Sequence, residues 1–310
     1  MSATEIRDEI DIRLLGRFSV DVRGRRVRHL ESRRVRELLA FLVINRDRMI
    51  GRDVIADTLW PTSRGGARKN LRQVLWQLHS TLDRASGTPL IVADSSSVGI
   101  DPGARLRVDV GQLEAAHARL GRAPGPELDA ELATFVQGVV SRCTGELLEG
   151  CYEDWCLAER ERYRAIHLNA LDRLIAHAEA IGDLDAGIEY GRTLLRYDRA
   201  SERTHRRLMM LHHHAGNRSG AVRQFRVCEL ALREELDVGP GPATLAVYEL
   251  VRAGRADLAD VTPADGDAPV VAAGALAELA TLVEQASQLI HRMSALLGRL
   301  DDASGHSEDT

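Results

Sequence analysis

Residues 65–84, GGARKNLRQVLWQLHSTLDR, constrain the fold more than any other stretch of this 310-residue chain. At 100° per residue, Ala67, Leu71, Val74, Leu75, Leu78 and Leu82 fall in one apolar stripe, the pattern of a helix lying on a core. Lys69, Arg72, Gln73, Trp76 and Ser80 project to the other side. A solvated basic face with its indole under a neighbouring loop satisfies this pattern, and so does a surface made to touch nucleic acid. What surrounds the helix has to decide.

Upstream, IRLLGRFSVDVRGRRVRHL alternates, with Phe18, Val20 and Val22 on one side and a hairpin connection at Gly24-Arg25. Helical period follows, with Val35, Leu38, Leu39, Leu42 and Val43 in one stripe behind a cap at Ser32. RDVIADTLWP predicts a short helix ended by Pro61. After the two-faced helix, LIVADSSSVGI reads as two β-rich runs around a polar turn. Sheet, helix, helix, helix, hairpin is the order of a winged helix-turn-helix, with the third helix for recognition and the hairpin as wing. Charge agrees: residues 1–110 carry a net +6 and residues 111–310 a net −11, a basic module ahead of an acidic one.

From Val108 onward helices are expected near 109–120, 128–141, 153–181, 184–197, 201–215, 218–236 and 242–252. GDLDAGIEYGRTLLRYD from Gly182 aligns with GNRSGAVRQFRVCELAL from Gly216 at an offset of 34 residues. That is the tetratricopeptide period, in which stacked helix pairs bury one another's faces. The Gly-, Ala-, Asp- and Pro-rich run after it reads as a linker. Beyond it Leu279, Leu282, Ala286, Leu289, Met293, Leu296 and Leu300 alternate spacings of 3 and 4, a seam for a second copy or for docking on the repeats. The expected fold class is mainly α: a winged helix-turn-helix with small antiparallel sheets, a tetratricopeptide-like helical repeat domain and a C-terminal helix. Its bounds are 10–107 for the winged helix, 108–254 for the repeats, 255–274 for the linker, 275–300 for the terminal helix and 301–310 for a disordered tail.

Several segments resemble the Streptomyces antibiotic regulatory protein (SARP) family: LLGRFSVDVRGRRV, LWPTSRGGARKNLRQVLWQLHSTL, EGCYEDWCLAERERYRAIHLNALDRL and GAVRQFRVCELALREELDVGPGPATLAVYE. The resemblance covers about residues 10–255. It implies an OmpR-type winged helix joined to a bacterial transcriptional activation domain, binding of double-stranded promoter DNA, and activation through RNA polymerase. Two departures stand out. The recognition helix of such proteins ends in a basic LRR where this chain has Leu78-His79-Ser80, and the wing turn Ser95-Ser96-Ser97 has no basic residue.

For the chemistry of such a site, Arg64, Arg68 and Arg33 or Arg34 are expected to neutralise phosphates. Lys69, Arg72 and Gln73 suit base edges, since Arg and Lys match guanine and Gln matches adenine. Trp76 is open to packing on sugar or thymine methyl, or to contacting a second protomer or polymerase. Ser80 at the helix and Ser95 and Ser96 in the wing complete the candidate DNA contacts. No cofactor, metal site, membrane span or enzymatic constellation is expected. GGARKN lacks P-loop spacing, His212-His213-His214 point 100° apart, and Cys143, Cys151, Cys156 and Cys228 include no CxxC pair. The expectation is a cytoplasmic DNA-binding activator. The alternative is a protein-interaction scaffold built on the repeats, with weak or lost DNA binding.

Overall fold

The computed structural model describes residues 10–30, 32–63 and 65–254. The expected linker, terminal helix and tail, with Leu279, Leu282, Leu289, Met293, Leu296 and Leu300, lie outside the described residues, as does Arg64.

The chain begins with β1 (Ile10–Arg13), β2 (Ser19–Val22) and β3 (Arg25–Arg26), paired antiparallel so that Ile10 faces Val22 and Ile12 faces Val20. The β2–β3 connection is Arg23-Gly24, one residue earlier than the alternation suggests. Both residues have positive φ (52° and 74°), the two-residue turn whose twist matches that of its strands. A fourth strand, β7 (Leu106–Val108), runs parallel to β1 on its other edge. The antiparallel sheet expected of β1–β3 is present, and β7 adds one parallel strand to its edge. Three residues after a loop carry too little pattern to announce a strand.

Next come α1 (Arg33–Ile44), β4 (Ile50–Gly51), α2 (Arg52–Leu59) and α3 (Ala67–Ser86). Ser32 occupies the N-cap position of α1, yet its side chain makes no capping bond. α3 buries Leu71, Leu75, Leu78 and Leu82, each removal from water contributing roughly 2 kcal/mol, and ends at left-handed Gly87. The wing is β5 (Ile91–Ala93) and β6 (Ser97–Ile100), joined by β4 into a three-stranded sheet of order β4-β6-β5.

The remainder is helical: α4 (Asp109–Leu120), α5 (Ala130–Arg142), α6 (Asp154–Ile181), α7 (Leu184–Leu195), α8 (Glu202–His214), α9 (Arg218–Leu236) and α10 (Pro242–Ala253). The 34-residue offset has a local cause. Gly182 and Gly216 each take a left-handed φ (75° and 68°), and the next residue caps the following helix. Asp183 accepts from Ala186 N, and Asn217 from Gly220 N. Within the first repeat α7 lies so close to α8 that a Cβ on Gly191 would sit 2.6 Å from a Leu208 methyl.

One continuous core runs from Ile10 to Leu211, and a smaller one joins α8, α9 and α10 through Met209, Phe225 and Val251. Polar groups stitch the winged helix to the helical half. Asp109, 1% exposed at the start of α4, accepts from Leu14 N and Leu15 N at 2.8 Å each. Within the helical half, Arg160 on α6 donates to the carbonyls of Leu147 (3.1 and 3.0 Å), Leu148 (3.2 Å) and Cys151 (2.9 Å).

Candidate nucleic-acid interface

Burying the leucine side of α3 leaves its other side in solvent. Lys69, Arg72 and Gln73 are exposed and make no hydrogen bond or ion pair among the described residues. Trp76, one turn on, is 70% exposed. Ser80 is half-buried, and its hydroxyl donates back to Gln77 O at 3.0 Å.

The wing packs beside the first turns of this face. Arg52, Asp53, Arg68, Leu71, Arg72, Ser95 and Ser96 line a cleft of about 510 Å³, so the structure brings four expected contacts, Arg68, Arg72, Ser95 and Ser96, to one place. Arg52 joins them unforeseen. It fixes the wing by donating from its backbone N to Ser96 O (2.8 Å) and from Nε to Asp94 O (3.0 Å). The wing turn is Asp94-Ser95-Ser96, since Ser97 already belongs to β6. The Asp94 carboxylate accepts from the hydroxyl and backbone N–H of Ser97 and of Ser96, at 2.6–2.9 Å. Those bonds, the Ser97 hydroxyl foremost, hold its carboxyl well below the usual range. Arg68 lies against Asp53, with Nε and Nη2 2.5 and 2.6 Å from the two carboxylate oxygens.

Arg33 and Arg34 sit elsewhere. Arg33 Nε is 2.6 Å from Glu37, Arg34 Nη1 is 2.9 Å from it, and both reach Glu153 at 3.0 and 3.2 Å. Arg34 also donates to Leu59 O. Glu37 is 2% exposed, and a carboxylate so buried needs its cations. The hydrogen bond that Arg33 donates to Glu37 raises its pKa. These arginines thus tie α1 to the start of α6, and the phosphate contact expected of them has no support in their placement.

A second basic feature went unread in the sequence. The β2–β3 hairpin brings Arg23, Arg25, Arg26, Arg28 and His29 alongside Trp76, Ser80 and Arg84 of α3, around a groove of about 910 Å³ with no carboxylate in its lining. The run RGRRVRH carried the signal but was absorbed into the strand pattern.

Other groups are explained by structure. His205 is bonded to Arg199 O and Gln224, and all four cysteines are buried thiols. Among the described residues no three His, Cys, Asp or Glu side chains are grouped to hold a metal, and no helix is long and apolar enough to cross a membrane.

Residues 108–252 match the family model described as bacterial transcriptional activator domain. Over those residues, just under half of the chain, it is similar to that domain family. With the winged helix ahead of that stretch, the chain has the domain order that the SARP resemblance implies. No curated protein matches the chain. Among solved structures it is similar to Mycobacterium tuberculosis EmbR in complex with a low-affinity phosphopeptide, at 21% identity and a TM-score of 0.56. The match covers 79% of this chain and 65% of that one, so the chain spans about two thirds of the EmbR length, and the likeness is one of fold.

Proposed function

We propose that the chain is a transcriptional regulator that binds promoter DNA through α3 and the wing, and activates by presenting its activator domain to RNA polymerase in the cytoplasm. One observation carries the reading. The exposed side of α3 holds Lys69, Arg72 and Gln73 with no partner among the described residues, beside Arg52, Arg68 and the wing serines. A duplex major groove about 12 Å wide accepts one helix whose far side is glued to a scaffold. Lys69, Arg72 and Gln73 then meet base edges, Arg52 and Arg68 the flanking phosphates, and Trp76 a sugar or a thymine methyl.

The test is a gel shift on the DNA upstream of the chain's own gene, across a salt series. Log affinity is expected to fall linearly with log salt, with a slope of about −0.9 per phosphate neutralised. A flat response supports the second reading, an interaction scaffold. Asp53 over Arg68 and Asp94 at the wing tip favour that alternative, since they put two carboxylates on the rim of the cationic face.

A further inference from the structure

The five arginines around the hairpin groove, Arg23, Arg25, Arg26, Arg28 and Arg84, gather on the opposite end of α3 from the wing. Two of them build the groove. Arg23 Nη2 donates to Ser86 O at 3.2 Å, pinning the turn to the end of α3, and Arg26 stands 3.7 Å from Asp21 and donates to Phe18 O at 2.8 Å. The side chains of Arg25, Arg28 and Arg84 are exposed and make no hydrogen bond or ion pair among the described residues. Three unpaired guanidinium groups lining one groove repel one another, and an anion in the groove relieves that repulsion.

The position of the groove says which anion. At a rise of 1.5 Å per residue, Arg84 lies about 12 Å along α3 from Trp76, and Trp76 belongs both to the exposed face and to the groove lining. A helix placed in a major groove about 12 Å wide by Lys69 through Trp76 has its Arg84 end outside that groove, over the sugar-phosphate wall. We propose that the β2–β3 hairpin and the last turns of α3 form a second phosphate track, in which Arg25, Arg28 and Arg84 bind the duplex backbone flanking the bases read by α3. This rests on the DNA-binding reading and adds the residues that offset the non-basic wing turn and the His79-Ser80 helix end. Phosphate contacts set register and affinity without reading sequence.

The experiment compares the full chain with an Arg25→Ala/Arg28→Ala/Arg84→Ala variant and a Lys69→Ala/Arg72→Ala variant, on a mixed-sequence duplex, on the upstream DNA and on polyglutamate. All five positions are exposed, and circular dichroism checks that each variant is folded. The hairpin variant is expected to weaken binding to both duplexes alike and to flatten the salt slope by about 0.9 per arginine removed. Its hydroxyl-radical footprint should lose protected sugars on one flank only. The α3 variant is expected to lose the preference for upstream DNA and keep that flank. If the wild type binds and the hairpin variant matches it in slope and footprint, the track is overturned and the DNA reading stands. If the hairpin variant loses binding to polyglutamate and keeps its DNA slope, the groove belongs to an acidic protein and the track is again overturned. If the wild type binds neither duplex, both readings fall.

Discussion

Arg68 and Asp53 face each other across the connection between α2 and α3, the guanidinium grasping both carboxylate oxygens. Both side chains are well exposed. The pair raises the pKa of Arg68 and lowers that of Asp53, each through their shared hydrogen bond. A phosphate arriving at Arg68 therefore competes with a carboxylate already there. Asp53→Asn is expected to tighten DNA binding severalfold at low salt and to steepen the log–log salt slope by about 0.9, one phosphate's worth. Fluorescence anisotropy across a salt series measures it. An unchanged slope places Arg68 outside the interface.

Arg160 is the donor that closes the loop between α5 and α6 over three carbonyls, with Leu148 in the left-handed region at φ 45°. Arg160→Ala is expected to cost about 3 kcal/mol, because buried carbonyls lose a charged partner that water cannot replace. Arg160→Lys should recover only part of this, since one ammonium cannot span the fork. Urea midpoints at constant m-value report both.

His167 is buried against the Tyr197 ring, edge to face, with centroids 5.1 Å apart. Burial first, and the Arg196 charge second, push its pKa from 6.5 down to about 4. The unfolded chain takes up a proton near pH 6.5 that the folded chain refuses until about pH 4. Stability from this group is therefore full above pH 6.5 and is lost as pH falls through that window. His167→Phe keeps the ring contact and is expected to shrink the loss between pH 7 and 4 by about 3 kcal/mol, read from urea unfolding at each pH. His205 and His212, also lowered chiefly by burial, leave a residual slope.

Gly191 and Gly187 let α7 approach α8. An added Cβ meets Leu208 at 2.6 Å in the first case and the Leu211 methyls at 3.1 Å in the second. Gly191→Ala is expected to lose about 1–2 kcal/mol, its overpacking exceeding the helix-propensity gain. Gly187→Ala needs only a small shift of the Leu211 side chain and should be near neutral. Thermal melts of the two variants give the comparison.

The periodicity of long helices was legible in the sequence. The leucines of α3, the seven helices after residue 108 and the Gly-Asx starts of the two repeats all appear within a residue or two of expectation, because each rests on local spacing. What was not legible depended on distance. β4 and β7 hold two and three residues and exist because β6 and β1 offer them edges. Arg33 and Arg34 look like free cations until Glu153, some 120 residues later, closes on them. Trp76 was readable as exposed, whereas the groove it shares with Arg25 and Arg28 needed the hairpin folded back against α3.

Lys69 is the only lysine in the chain, so an amine-acylating reagent reports on the recognition face at one side chain, resolved from the N-terminus by peptide mass spectrometry. The account predicts that saturating duplex DNA slows Lys69 acylation severalfold and that added salt restores the free rate. Acylation of Lys69 at the same rate with and without bound duplex would contradict the placement of α3 in the groove.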